Sequence, residues 1–316
     1  MIGDAVADQF LSGTISRVSR EAPVFILRHE ETVTLPGAAG NAAANIAALG
    51  AEATLVSAVG DDANGDTLVN ALKRAGVDPG GIVRSPGLPT TTKVRVLAAQ
   101  HYSPRQQVIR IDYEPPSNAA DSLENDIWAN AAKAIASADA VIISDYGYGV
   151  VTAALFKQAQ RLAAERQIPL VIDSRYRLSE FTGATSATPN REEVSSILGG
   201  PCDDEKCESL RERLGLTALV VTNGNEGITL FEAGCSPVRM PAVGLKEPVD
   251  VTGAGDTVIA VYALALAAGL GFTEAARLAN HAGGIVVMKK GTATTTVSEL
   301  VDSLRSVAEG ATVSSN

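Results

Sequence analysis

Aromatic residues are scarce in this chain, 4% of 316 residues with a single tryptophan. The core must therefore come from Ala, Val, Leu and Ile, the mixture of Ala-rich helices packed on Val/Ile strands. Cysteine is scarce too: Cys202, Cys207 and Cys235 give no even disulfide framework, and a reducing cytoplasm is the expected compartment. Only three histidines exist and none lies near Cys202 and Cys207 in sequence, so no structural metal is expected there. No apolar run reaches the ~18–20 residues that span a bilayer, and no charged-then-apolar leader opens the chain. Positive charge is also short. With 26 Lys and Arg against 36 Asp and Glu the net charge is −10, which repels nucleic-acid phosphates but leaves room for a local basic pocket. The expected partner is a small molecule, with neither nucleic acid nor membrane.

Two nucleotide signatures are missing as well. Position 258 is Val, so the third glycine of a dinucleotide fingerprint is absent, and no Gly-Lys-Ser/Thr completes a phosphate-binding loop. What is present is Asp250-Val251-Thr252-Gly253-Ala254-Gly255-Asp256-Thr257, leading into the apolar run Val258–Leu266. Gly253, Ala254 and Gly255 have little side chain, so their N–H groups can close around an anion at the positive end of the helix that follows. Asp256 beside such a hole is useful if it takes a proton, the arrangement that phosphoryl transfer to a hydroxyl needs. The plainer reading is a Gly-rich turn with Asp256 favouring the helix dipole. The flanking Asp250 and Thr252 and the long helix weigh against it.

Along the chain, Met1–Gly3 reads as a short first strand, shortened at its N-terminal side. Strand-rich stretches at Phe10–Leu35 and Thr91–Tyr113 alternate polar and apolar residues, giving a small sheet with one polar face apart from the core. Elsewhere helices (Asn41–Leu49, Gly65–Ala75, Leu123–Ser137, Ala153–Arg166) alternate with strands (Ala53–Val59, Ala140–Ser144, Leu170–Ile172, Ala218–Thr222). Helices at Gly253–Ala268, Thr273–Lys289 and Val297–Ala308 finish the chain, with a frayed tail after Gly310. That alternation predicts a single α/β domain over 1–316, with a mostly parallel sheet and ligands at the strands' carboxyl ends.

The chain resembles the ribokinase-like, phosphofructokinase-B-type sugar kinases over nearly its whole length. The resemblance rests on Gly3-Asp4, Gly37 to Asn41, Gly60-Asp61-Asp62 with Gly65, Thr188-Pro189-Asn190 with Glu193, Thr222-Asn223-Gly224 with Gly227, and Asp256, in the family's order and spacing. Within the family, Ile15–Val24, Thr92–Val96, Gln107–Asp112 and Asp250–Ile259 look most like D-glycero-β-D-manno-heptose 7-phosphate kinases, without the nucleotidyltransferase half that can accompany them. The resemblance implies a three-layer α/β/α fold with a β-sheet lid over the sugar, use of ATP and Mg²⁺, and a homodimer through the lid. A kinase for another sugar, such as ribose or a fructose phosphate, and a non-catalytic sugar- or nucleotide-binding regulator are the alternatives.

The resemblance implies Asp256 as base and Gly253, Ala254 and Gly255 as anion hole. Asp4 and Asp8 can accept bonds from vicinal sugar hydroxyls, Asp4 by the family's usage, although a turn cap and a solvated carboxylate are the plain readings. Gly37 allows a close approach, and Asn41 reaches a hydroxyl or caps its helix. Ala38 stands where the family usually has a second glycine. Lys93, Arg95 and Arg110 are polar-phase lid positions that can gather for a substrate phosphate. Asn190 and Glu193 are implied to organise Mg²⁺ through water, against a capping box on pattern alone. Thr222, Gly224 and Gly227 lie along the ATP phosphates by resemblance and form a hairpin turn in isolation, while Asn280 matches the adenine side. Two departures concern Tyr148 and Arg175, which stand where heptose kinases commonly have Lys; Arg175 can replace one of the two.

Overall fold

Valine- and isoleucine-rich runs form the strands, and Ala-rich amphipathic runs form the helices that cover them. The computed structural model describes residues 1–99, 105–116, 118–244 and 247–313. The chain opens with β1 (Ile2–Gly3), β2 (Ala5–Val18), β3 (Phe25–Ala38), α1 (Ala39–Ala48), β4 (Ala53–Gly60), α2 (Ala63–Arg74) and β5 (Val77–Ser85). Next come β6 (Thr92–Ala99), β7 (Gln106–Tyr113), α3 (Glu124–Ile135), β8 (Val141–Asp145), α4 (Ala153–Glu165) and β9 (Leu170–Ser174). After them follow β10 (Ser186–Ala187), α5 (Arg191–Leu198), α6 (Asp204–Arg213), β11 (Ala218–Thr222), β12 (Ile228–Glu232) and β13 (Val238–Met240). The helices α7 (Ala254–Ala267), α8 (Phe272–Val286) and α9 (Val297–Val313) complete the chain. The last helix thus runs past Gly310, where fraying was expected; 314–316 lie outside the described residues, as do 100–104 of the Thr91–Tyr113 stretch.

Nine strands make the central sheet in the order β13-β12-β11-β10-β9-β8-β1-β4-β5. It is parallel except where β12 turns back on β11 and β13 on β12. Ile143, Ile172, Leu219 and Phe231 pack with α3, α4 and α6 on one face, through Ile127, Phe156 and Leu210. On the other, Ile142, Val171 and Val220 meet α7 and α8, and Leu55 and Val59 meet α1 and α2. The three layers follow from that two-sided burial.

The small sheet has the order β3-β2-β6-β7. One residue, Asp4, separates β1 in the central sheet from β2 in the small one, so the lid strand begins at Ala5 and not at Phe10. Alternation then sorts the lid's two faces. Asp8, Lys93 and Asp112 lie in one cross-strand row and Phe10, Arg95 and Arg110 in the next row on the same face. Ile109, Ile111 and Tyr113 occupy the other face, 53%, 42% and 55% exposed.

Candidate active site

Asp256 lies in the first turn of α7 and is buried. Its Oδ2 accepts a hydrogen bond from Asn41 Nδ2 at 3.0 Å and its Oδ1 one from the Tyr146 hydroxyl at 2.8 Å. Burial pushes its carboxyl up to about 6, and Asp8 adds to the rise while the two donors oppose it. A carboxylate tuned near neutrality suits proton abstraction. Gly253 caps α7 in the left-handed region, φ 77°, where a side chain would be strained and would run into the Asn41 amide. Ala254 N already donates to Val251 O at 3.3 Å. An anion here would therefore be held mainly by Gly255 and Asp256, whose first-turn amides have no partner within the helix.

Asn41 neither caps α1 nor stands free for a sugar hydroxyl. It sits inside the helix, behind Ala38 as cap, and serves Asp256. Asn45, a polar residue inside an Ala-rich helix, donates to Asn41 O at 3.0 Å and to its Oδ1 at 3.4 Å, and accepts from Thr295 N. This relay fixes which end of the Asn41 amide faces Asp256.

Asp4 departs most from expectation. Its Oδ2 accepts from Tyr146 N at 2.8 Å and Tyr148 N at 3.2 Å, and its Oδ1 from Val150 N at 3.1 Å. Three amides claim the carboxylate, so it anchors the loop after β8 instead of reaching for substrate. Burial, the largest influence, lifts it to about 6 against those three bonds. Asp8, four residues on, lies on the lid face that carries Lys93 and Arg95. It is raised by burial against the opposing pull of Arg95, whose guanidinium is 3.2 Å away, and of Lys93. Gly37 lies against the Asp8 carboxyl, where a Cβ would sit 2.8 Å from Oδ2.

Lys93, Arg95 and Arg110 do gather on one lid face, together with carboxylates. Lys93 is 3.9 Å from Glu114, and Arg110 grips Asp112 with two bonds of 2.8 and 2.9 Å. Arg95 spans Asp8 and the Phe10 ring, and its Nε is buried without a hydrogen-bond partner among the described residues. Tyr148 lies under Lys93, 5.6 Å from the ring centre, and donates to Glu114 at 2.8 Å.

On the other side of Asp256, Asn190 caps α5 in a complete capping box with Glu193, so the plainer reading of that pair is realised. Box and metal role are compatible, because the Asn190 N–H takes only one Glu193 oxygen, Oε2. Asp173, at the end of β9 on the α7 face, was not singled out for a role. Burial and then Glu193 and Asp256 hold its carboxyl well above the ordinary range. Among the described residues no three of His, Cys, Asp and Glu come close enough to hold a metal ion by themselves, so a divalent cation would rest here largely on water. Mg²⁺ there would supply charge neutralisation for a polyphosphate, with Asn190 and Glu193 as its protein contacts.

Thr222 ends β11, and the loop to β12 is the expected hairpin, with Gly224 and Gly227 both at positive φ. Thr222, Gly224, Gly227 and Asn280 line a largely apolar cavity of about 200 Å³ that runs up to Ala254 and Gly255. Asn280 donates to Pro241 O at 2.7 Å, leaving its oxygen as acceptor. A larger cavity of about 380 Å³ opens beside Met1, Thr54 and Val141 but holds none of the expected site residues.

Residues 13–299 match the pfkB family of carbohydrate kinases. The chain is 40% identical over 310 residues to the bifunctional protein HldE of Geobacter sulfurreducens, covering 96% of this chain and 62% of that protein. It is 41% identical over 309 residues to the HldE of Chromohalobacter salexigens, covering 96% and 63%. The chain thus spans a little over three-fifths of these curated relatives. Among solved structures it is similar to the ribokinase of Arabidopsis thaliana complexed with ribose and ATP (TM-score 0.71, 22% identity, 96% of each chain). It is also similar to phosphofructokinase-2 of Escherichia coli (TM-score 0.74, 18% identity, 97% of each chain), which shares its fold.

Proposed function

The chain belongs to the pfkB family of carbohydrate kinases, and we propose that it moves the γ-phosphate of ATP to the anomeric hydroxyl of D-glycero-β-D-manno-heptose 7-phosphate. That it is a sugar kinase follows from the family; substrate, nucleotide and cation are the proposal. The observation that carries the substrate is Arg95 Nε, a buried donor without a partner among the described residues, on a lid face that also holds Lys93 and Arg110. A guanidinium with an unused donor in a −10 chain is well matched to a substrate phosphate. The HldE relatives support the same sugar class.

In this reading ATP fills the cavity between Gly227 and Asn280, its phosphates reaching Gly255 at the head of α7. The sugar lies under the lid with its acceptor hydroxyl at Asp256, which removes the proton as the oxygen attacks. Arg175, past the end of β9, faces Asp173 and Glu193 electrostatically and is placed to steady phosphate charge. Closing the lid excludes water, the competing acceptor. Its outer face of Ile109, Ile111 and Tyr113 pairs with a second copy, and the reaction belongs in the cytoplasm with its ATP.

ADP release from Mg-ATP with a panel of free and phosphorylated sugars, followed by ³¹P NMR of the product, tests this. An anomeric phosphate on the heptose phosphate is expected. Preference for a neutral sugar, or no sugar-dependent turnover, rejects it in favour of another sugar kinase or a regulator. Solution scattering at micromolar concentration should give a dimer that Ile111→Glu breaks; a monomeric wild type rejects the pairing.

A further inference from the structure

Tyr146 lies in the loop after β8, 110 residues from the base it touches, and the proposed chemistry assigns it nothing. Its hydroxyl and the Asn41 amide take one oxygen each of Asp256, at 2.8 and 3.0 Å. A carboxylate gripped at both oxygens cannot rotate about its last torsion, yet each oxygen keeps a lone pair for an acceptor hydroxyl. Both donors are set by one residue. Asp4 binds Tyr146 N through its side chain, and its carbonyl accepts Ala39 N at 3.0 Å, two residues before Asn41 in the same helix.

We propose that Tyr146 is a positioning residue for the catalytic base, its phenol donating to Asp256 Oδ1 so that the carboxylate stays ionised and aimed at the acceptor hydroxyl. This rests on Asp256 as the base. The phenol is a lasting donor, since burial and the neighbouring Asp256 and Asp173 hold its own ionisation well above the ordinary tyrosine range. Other charges around the pair are Asp8 on β2 and Arg175 after β9, and both remain when the phenol is removed.

Carboxyl ¹³C NMR of aspartate-labelled protein, with the Asp256→Asn spectrum assigning the signal, reads the base without any turnover. In Tyr146→Phe the Asp256 midpoint should rise from about 6 by about one pH unit, the size of one lost charge-assisted bond. The acid limb of kcat/KM for the heptose 7-phosphate should move up equally, with KM for Mg-ATP unchanged. Tyr146 replaced by 3-fluorotyrosine keeps the ring and strengthens the donor, so the midpoint should move down. An Asp256 titration that ignores both replacements overturns the proposal. Because it needs no substrate, this titration decides the matter even if the sugar assignment fails.

Discussion

Arg95 and Arg110 face each other as register partners across β6 and β7, two like charges on adjacent strands. Such a pair is unfavourable unless anions intervene, and Asp8 and Asp112 each answer one of the two charges. What the carboxylates leave over is donors, Arg95 Nε among them, and a substrate phosphate could take these. Arg110→Ala is therefore expected to raise KM for the sugar phosphate ten- to a hundredfold, the loss of about 1.5–3 kcal/mol of charge-assisted bonding. KM for ATP should hardly move. Initial-rate kinetics with each substrate varied in turn would expose an equal effect on both, which contradicts the phosphate role.

Asp256→Asn is expected to fold and to lose roughly 10²–10⁴ in rate. Stability adds a pH signature. The wild-type group is raised to about 6 in the fold, so the fold binds the proton more tightly than the unfolded chain does. Its stabilising share is full below the unfolded value and is lost as pH rises through about 6. Ionising it costs up to about 3 kcal/mol at pH 8, partly offset in the comparison because Asn disturbs the Asn41 bond. Urea melts should find the variant more stable than wild type at pH 8 and not at pH 4.5. A pH-independent difference would mean that Asp256 titrates normally.

Glu193→Gln keeps the acceptor that the capping box needs, while Glu193→Ala removes it. The first should leave the melting temperature nearly unchanged and raise the Mg²⁺ concentration for half-maximal rate. The second should also lower stability by about 1 kcal/mol. If Glu193→Gln leaves the Mg²⁺ requirement unaltered, the residue is only a cap.

Ala38 has φ 52° and ψ −128°, a region that suits glycine, and it is buried at the start of α1. Ala38→Gly should relieve about 1–3 kcal/mol of strain against about 0.4–1 kcal/mol of unfolded-chain entropy. A net gain of about 1 kcal/mol is expected in chemical denaturation. A loss would mean that the methyl contributes more by packing than it costs by strain.

Most of this was legible where the signal is local. The Gly253–Asp256 turn, the α7 run and the alternation of β6 and β7 write their roles within ten residues, so glycine spacing and period suffice. Asp4 did not, because a carboxylate at a strand end looks alike whether it meets sugar hydroxyls or the amides of Tyr146, Tyr148 and Val150. Asn45 and Tyr146 were missed for a related reason. A polar residue in an Ala-rich helix and a loop tyrosine acquire meaning only from partners far along the chain. Asn190 and Glu193 carried two readings, and the box proved real without deciding about the metal.

The single-residue joint at Asp4 also has a mechanical side. β2 leaves it as an arm of 14 residues with register shifts at Ser12/Gly13 and Ile15/Arg17, at most roughly 45 Å at ~3.3 Å per residue. A swing of about five degrees at the joint would carry Val18 about 4 Å and Asp8 only about 1 Å. The fulcrum is the residue whose carboxyl and carbonyl hold the two donors to Asp256 in place. Any such swing would be felt at the far end of the arm and hardly at Asp256, next to the pivot.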